Sequence, residues 1–285
     1  MYKFTPILKT LVWGTESWVL SGVPGSESVV AEGPEAGKKI TDIYPGTFPL
    51  LIKFIDAKHD LSIQVHPDNE LAAKRHGCSG KSEMWYVIGA EPGAKLITGL
   101  KERITPEDYV RLVAEDRITE VLAEHTVAPG DVFFLPAGRI HSIGGGCFLA
   151  EIQQTSDITY RIYDYNRPGL DGKPRQLHTH EAKDAIDYEV YPEYRTPYVL
   201  KQNAPIELVK CEHFTTTLYD LSSHSGLDPE SPFLIAIGLH GSGVLRTSQD
   251  EATLSAGEAV LIPASDGSVC VEPGPDGLRM LTTHP

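Results

Sequence analysis

The sequence has few cysteines, and none of them forms a metal-binding pair. Cys78, Cys147, Cys211 and Cys270 are far apart, and no Cys-x-x-Cys motif occurs. This spacing argues against a disulfide framework and against a zinc site built from thiolates.

The sequence also lacks an excess of positive charge and any long apolar segment. Its formal net charge of −14 at pH 7 argues against non-specific binding to nucleic acid or to an anionic membrane. No apolar run approaches the roughly 20 residues that a membrane-spanning helix needs. Residues 1–6 lack the apolar core of a signal peptide. We therefore expect a cytoplasmic protein, in which an anionic small molecule would need a local cluster of lysine and arginine.

The chain does contain many short apolar segments separated by turn residues. A buried strand is expected at 50–55, and a hairpin around Glu91-Pro92-Gly93 is expected to join 84–89 to 94–98. Further strands are expected at 18–20, 28–30, 132–135, 147–153, 159–165, 233–238 and 259–262. This pattern predicts a β-sandwich or barrel.

A few short helices are expected between these strands. Thr105 is followed by Pro106 and Asp108, which is typical of a capped helix start. Shorter helices are expected at 69–74, 118–122 and 181–186. Residues 166–204 are polar and rich in proline, which would suit a linker between two domains.

One segment of the chain is repeated. Residues 130–137 and 257–264 share the same spacing of a turn glycine, an apolar strand and a closing proline. The first copy continues to His141, whereas Ser268 stands at the matching position of the second. We infer two β-barrels of related design, with a polar site only in the first.

A polar stripe lies on the predicted strand 61–68. Alternation along a strand places Ser62, Gln64 and His66 on one face and the apolar residues between them on the other. A strand that keeps a hydroxyl, an amide and an imidazole in one row indicates a site. We interpret Gln64 and His66 as two ligands of a metal.

Two motifs extend this interpretation. The spacing Gly130-x5-Pro136-x-Gly138-x2-His141 matches the second cupin motif, whose final histidine enters a barrel as a metal ligand. The first cupin motif corresponds to Gln64-Val65-His66 followed by Glu83. Imidazoles with a single carboxylate suit Zn²⁺ or another first-row divalent ion.

The sequence resembles the type I mannose-6-phosphate isomerase family in its short bacterial form. Four ordered motifs carry the resemblance, at 61–68, 81–86, 136–141 and 151–161, and it covers about residues 10–185. The implied fold is mainly β, with two cupin-type β-barrels (jelly rolls) and a few short helices. Residues 1–200 would form the catalytic metal-binding cupin domain with helical segments. Residues 205–285 would form a smaller, degenerate cupin-like β domain without metal ligands.

The resemblance implies a zinc-dependent interconversion of mannose 6-phosphate and fructose 6-phosphate, with one Zn²⁺ per chain and a phosphorylated sugar as the partner. It also implies a role for each of several site residues. The zinc ligands would be Gln64, His66, Glu83 and His141; the pocket residues Ser62 and Lys81; the active-site arginine Arg161; and the acidic residues Glu151 and Asp157.

An aldose–ketose shift moves a proton between C2 and C1 through a cis-enediol, so it needs a base and stabilisation of an oxyanion. The base is left open between Glu151, Asp157 and a water held by the metal, with Glu151 preferred. Arg161 suits a phosphate or a planar pair of oxygens, and it shares strand parity with Asp157 if that residue belongs to the same strand.

Two alternative functions to the isomerase are another metal-dependent cupin enzyme, such as an Fe²⁺ oxygenase, and a non-catalytic sugar-phosphate-binding cupin. We expect the His178-Thr179-His180 motif to be structural, because no acidic or histidine partner has suitable spacing.

Overall fold

A computed structural model describes residues 1–44, 46–229 and 232–285, and these residues form a mainly β protein with few helices. The strands are mostly short and are, in chain order, β1 (Tyr2–Thr5), β2 (Ile7–Leu11), β3 (Gly14–Ser21), β4 (Val29–Val30), β5 (Leu50–Ala57), β6 (Ile63–Val65), β7 (Glu83–Ala90), β8 (Lys95–Leu100), β9 (Leu122–Thr126), β10 (Val132–Leu135), β11 (His141–Ile143), β12 (Cys147–Gln154), β13 (Tyr160–Tyr163), β14 (Ile206–Lys210), β15 (Thr215–Leu221), β16 (Ser225–Leu227), β17 (Phe233–Arg246), β18 (Glu251–Ser255), β19 (Ala259–Pro263) and β20 (Val269–His284). The helices are α1 (Ile40–Ile43), α2 (Asn69–His76), α3 (Pro106–Ala114) and α4 (Thr179–Ala185).

The strands form three sheets with antiparallel pairing. A nine-stranded sheet has the order β14-β15-β20-β17-β19-β1-β4, with β16 on β20 and β18 on β17. A six-stranded sheet has the order β10-β7-β12-β5-β3-β2, and a five-stranded sheet has the order β13-β6-β11-β8-β9. The mainly β class is confirmed. The pairings among the described residues do not close any sheet into a barrel, so the two barrels stay a prediction.

The hairpin predicted between β7 and β8 is wrong. The turn itself forms, with the amide of Ala94 donating to the carbonyl of Glu91 at 2.9 Å. However, β7 pairs with β10 and β12, whereas β8 pairs with β9 and β11 in the other sheet. Alternation predicts a strand, but the partner of each strand comes from residues far along the chain.

The predicted helices are confirmed in position, and side-chain caps mark the start of two of them, α2 and α3. Thr105 and Asp108 form a reciprocal capping box at the start of α3, and Tyr109 is buried on its apolar face. Asp68 caps α2, which ends at Gly77 in the left-handed conformation. The segment Ile118–Val121 is a single 3₁₀ turn. Within the described part of the chain, no helix is long and apolar enough to span a membrane.

The chain divides into two compact units. One contains Met1–Ile7, Trp18–Ile52 and Pro197–Pro285, and the other contains Leu8–Ser17 and Lys53–Thr196. In this division the first segments of the chain group with the C-terminal strands. For example, β1 pairs with β19. The predicted domains 1–200 and 205–285, and the function predicted for each, stay a prediction.

The polar segment after residue 166 is more than a linker up to Thr196, because it belongs to the second unit. Ala182 of α4 and Ile186 are buried in the same apolar cluster as Ile63 and Val65 of β6. The helix therefore helps to hold the strand that carries the polar stripe.

The internal repeat corresponds to the same turn in both copies. The amide of Gly130 donates to the carbonyl of Val87 at 2.8 Å, and the amide of Gly257 donates to that of Gly238 at 3.0 Å. Both turn glycines adopt positive φ, 96° and 84°, which costs little without a Cβ. The repeated sequence pattern therefore encodes a repeated turn and strand.

Candidate metal centre

Three predicted ligands from three segments converge inside the second unit. His66 follows β6, Glu83 begins β7 and His141 begins β11. The Nε2 atom of His66 lies 3.6 Å from Oε2 of Glu83, and that of His141 lies 3.4 Å from Oε1. All three side chains are buried, and their potential ligand atoms lie within 4.8 Å of one another.

Backbone carbonyls orient both imidazoles. Nδ1 of His66 donates to the carbonyl of Ile158 at 2.7 Å, and Nδ1 of His141 donates to that of Arg139 at 2.8 Å. With the proton on Nδ1, each ring presents the lone pair of Nε2 towards Glu83. Burial lowers the pKa of both histidines, which favours the neutral form. Neutral imidazole is the form that binds a metal.

The residues present fit a divalent cation. Nε2 of His66 and Oε1 of Glu83 are buried without a hydrogen-bond partner in the described structure. Buried acceptors without partners are costly, and a cation between them would satisfy both. Two imidazole nitrogens with one carboxylate match the ligand preferences of Zn²⁺ and related first-row ions.

Gln64 lies beside this group on β6. The register places it opposite His141 on one side and Arg161 on the other, so the three side chains share one face of the sheet. The amide Nε2 of Gln64 is 3.3 Å from Nε2 of His141. Rotating the terminal amide by half a turn would place its oxygen there instead. Its role as a ligand stays a prediction.

The strand that carries the polar stripe is shorter than predicted. Only Ile63–Val65 form β6, and Ser62 and His66 are buried at its two ends. The predicted alternation is confirmed, because Leu61, Ile63 and Val65 are all buried in apolar clusters.

A buried network of lysines and glutamates adjoins the metal centre. Nζ of Lys81 lies 2.9 Å from Oε2 of Glu83 and 3.7 Å from Oε1 of Glu151. Nζ of Lys53 lies 3.0 Å from the same oxygen of Glu151, and Nε1 of Trp85 donates to its other oxygen at 3.0 Å. Although burial alone would raise the pKa of Glu151, the two ammonium groups and this hydrogen bond lower it to about 2. Glu151 is therefore held as an anion.

Lys53 was not identified from the sequence. Burial by itself would lower its pKa, but Glu151 and Glu16 outweigh that effect and raise it, so Lys53 remains charged at 4% exposure. The available signal was a single lysine inside the apolar strand Leu50–Ala57. A charge that is buried at mid-strand requires a partner, but the sequence does not say which one.

Arg161 belongs to a cluster of three arginines. Its Nη1 donates to the carbonyl of Gln176 at 2.9 Å, and its Nε is buried without a hydrogen-bond partner in the described structure. Arg167 and Arg175 share the carboxylate of Asp164. Burial, together with the charges of these two neighbours, lowers the pKa of Arg161. The sequence indicated only that an anionic small molecule would need a local cluster of lysine and arginine, and it did not identify Arg167 and Arg175 as members of one.

Asp157 lies outside the strand of Arg161. It is exposed and precedes β13, which begins at Tyr160. The condition for their shared strand parity is therefore not met. Its charge is among those that raise the pKa of Lys53, which places its carboxylate within electrostatic range of the network.

Two other groups of potential ligands differ from this centre. His178 is not in either potential metal-binding group found among the described residues, and its Nδ1 instead accepts a hydrogen bond from the amide of Arg161. The second group contains His224, Cys270 and Glu272. Two of these are exposed, and Glu272 already pairs with Arg246 at 3.0 Å. We assign no metal to that group.

Comparison with known proteins gives consistent similarities. Residues 15–86 match the family model for the phosphomannose isomerase type I catalytic domain, and 205–275 match that for the mannose-6-phosphate isomerase cupin domain. Mannose-6-phosphate isomerase ManA of Bacillus subtilis is 30% identical over 299 residues, which cover 94% of this chain and 95% of the relative. The mannose-6-phosphate isomerase of Streptococcus mutans is 33% identical over 261 residues, which cover 87% of this chain and 82% of the relative.

Solved structures agree with these sequence matches. The crystal structure of mannose 6-phosphate isomerase from Bacillus subtilis superposes with a TM-score of 0.87 at 28% identity, covering 100% of this chain and 99% of that one. A putative mannosephosphate isomerase from Archaeoglobus fulgidus gives a TM-score of 0.77 at 19% identity, covering 99% of this chain and 96% of that one. At this identity the likeness shows the shared fold alone.

Proposed function

The chain belongs to the type I phosphomannose isomerase family, and on that premise we propose that it interconverts mannose 6-phosphate and fructose 6-phosphate. The observation that carries the proposal is the buried group of His66, Glu83 and His141, whose ligand atoms face one another beside Lys81. We propose that these residues and Gln64 hold one Zn²⁺ per chain. When bound, the ion would supply positive charge that stabilises negative charge developing on the sugar oxygens.

Proton transfer between C2 and C1 through a cis-enediol requires a base whose pKa is not far from the working pH. Glu151 fits this role poorly, because its pKa is about 2 and two lysines and Trp85 already engage its oxygens. We assign it the role of a buried anion that fixes Lys53 and Lys81. We assign the proton transfer to Asp157, which is exposed and whose charge acts on Lys53 of the network beside the metal centre. This assignment departs from the preference for Glu151 that the sequence alone supported.

The remaining residues would bind the sugar phosphate. The ammonium group of Lys81 lies beside the carboxylate of Glu83 and would donate to a sugar oxygen at the reacting carbons. Arg161, with Arg167 and Arg175 near it, would bind the phosphate, since guanidinium groups match phosphate geometry. We place Ser62, buried at the end of β6, against a sugar hydroxyl.

We further propose that the strands of the second unit form a catalytic cupin barrel. The C-terminal strands would form a related barrel that has no metal site. In the C-terminal copy of the repeat, Ser268 stands where the first copy has His141. This supports the proposal, because serine is not among the usual zinc ligands and Oγ of Ser268 donates to Asp228 at 2.6 Å.

A coupled assay for fructose 6-phosphate tests the function. Turnover of mannose 6-phosphate should disappear when a chelator removes the metal and return when Zn²⁺ is added. Binding without turnover by a zinc-loaded sample would contradict the proposal and favour a sugar-phosphate-binding protein. A requirement for Fe²⁺ and O₂ would favour an oxygenase.

The same assay tests the assignment of the base. Asp157→Asn should lower kcat by at least about 100-fold, the usual contribution of general base catalysis. The zinc content should not change, since Asp157 is not a proposed ligand. Normal kcat in this variant would refute the assignment.

A further inference from the structure

His178 lies outside the metal centre but makes contact with Arg161. It was identified in the sequence only as part of His178-Thr179-His180, and the proposed reaction does not use it. Its half-buried ring is directed at the backbone of β13 rather than at a metal.

Residues 175–178, which we call the strap, cover the outer edge of β13. This strand ends the five-stranded sheet and pairs with β6 on its other side. An edge strand presents backbone groups that need partners. The strap supplies such partners to the backbone of Arg161, because the amide of His178 donates to the carbonyl of Arg161 at 2.7 Å. In return, Nδ1 of His178 accepts from the amide of Arg161 at 3.1 Å.

The strap also holds the side chain of Arg161. The carbonyl of Gln176 accepts from its Nη1 at 2.9 Å. At the start of the strap, Nε of Arg175 donates to Oδ2 of Asp164 at 2.7 Å, which fixes the strap to the chain just after β13. Arg161 is thus held at its amide, its carbonyl and its guanidinium group.

We propose that His178 is a positioning residue, whose ring replaces a neighbouring strand at the edge of β13 and aligns Arg161 for the phosphate of the substrate. The effect of His178 on catalysis rests on the proposed function, whereas the contact between His178 and Arg161 does not. The imidazole must be neutral at Nδ1 to accept the hydrogen bond. Burial and the nearby charge of Arg161 lower the pKa of His178, which favours that state.

The first test measures the contact without using activity. Hydrogen exchange of the Arg161 amide should accelerate about tenfold in His178→Ala, because one hydrogen bond is lost. His178→Asn should restore slow exchange, since its side-chain oxygen can accept near the position of Nδ1. His180→Ala, two residues away and exposed, is the matched control and should leave the exchange unchanged. Unchanged exchange in His178→Ala would overturn the proposal.

The second test asks whether His178 acts through Arg161. In otherwise wild-type enzyme, His178→Ala should lower kcat/KM for mannose 6-phosphate by about threefold to tenfold, the effect of one hydrogen bond. His178→Asn should recover most of the loss, and the zinc content should be the same in all variants. In an Arg161→Ala background, His178→Ala should cause no further loss, because residues that act as one unit are not additive.

The outcomes separate the two proposals. An equal loss of kcat/KM in both backgrounds would show that His178 supports the fold in general, and the inference would be wrong. If wild-type protein does not turn over mannose 6-phosphate, the proposed function fails. The exchange measurement then still decides whether His178 holds Arg161.

Discussion

Neutralising Glu151 should destabilise the protein, because this carboxylate compensates buried positive charge. In Glu151→Gln, Lys53 would lose a partner at 3.0 Å while remaining 4% exposed. The fold lowers the pKa of Glu151 from 4.5 to about 2, which corresponds to roughly 3–4 kcal/mol at about 1.4 kcal/mol per pH unit. Breaking a buried ion pair typically costs about 3–5 kcal/mol. We therefore expect the free energy of unfolding to fall by about 3 kcal/mol.

Urea unfolding at pH 7 measures this effect, and a chelator in every sample removes the contribution of metal binding. The midpoint should fall at unchanged slope. Glu120→Gln is the matched control, since its ion pair with Arg117 at 2.8 Å is exposed and, being screened by solvent, should contribute little to stability. Combining Glu151→Gln with Lys53→Met should restore part of the stability, because the buried ammonium group that loses this carboxylate is then removed as well. A single variant within about 1 kcal/mol of wild type, or a double variant without recovery, would refute the reasoning.

The lowered pKa of Glu151 also predicts how the stability of the protein changes as the pH falls. Because the pKa of Glu151 is lower in the folded than in the unfolded chain, the unfolded chain takes up this proton first as the pH falls. Its stabilisation is complete above pH 4.5 and is lost as the pH falls towards about 2. The stability of Glu151→Gln should therefore decline less steeply than that of wild type across this interval. Parallel declines would show that the carboxylate is not held as an anion.

Three further variants test the site and the fold. His141→Ala should abolish stoichiometric zinc by metal analysis, whereas His224→Ala should retain it; zinc retained in the first would show that the ligand set is wrong. Gly80→Ala should weaken zinc binding in a competition titration and lower the melting temperature, because a Cβ there would lie 2.4 Å from the backbone carbon of Asp68. Unchanged zinc affinity and melting temperature would contradict that close approach. Thr105→Ala should reduce stability in urea by about 1 kcal/mol through loss of the helix cap, and an unchanged midpoint would show that the capping box contributes nothing.

Interactions within a few residues could be predicted from the sequence. Thr105 and Asp108 cap α3 because both belong to one turn, so their spacing is sufficient evidence. The alternation of Leu61, Ile63 and Val65 predicted which face of β6 is buried, since side chains alternate along any strand. Motif spacing likewise identified His66, Glu83 and His141, which the structure brings together.

Interactions between distant segments were decided by the tertiary structure alone. Alternation in β7 and β8 predicted two strands but not that they enter different sheets. Lys53 and Glu151 lie 98 positions apart in the sequence, and neither residue type reveals that they share a buried charge. The contact between His178 and Arg161 likewise forms only because β13 lies at the edge of its sheet. Local sequence determines which residues can form a strand, a cap or a ligand motif. The partner of a buried charge or a free strand edge depends on which distant segments pack together.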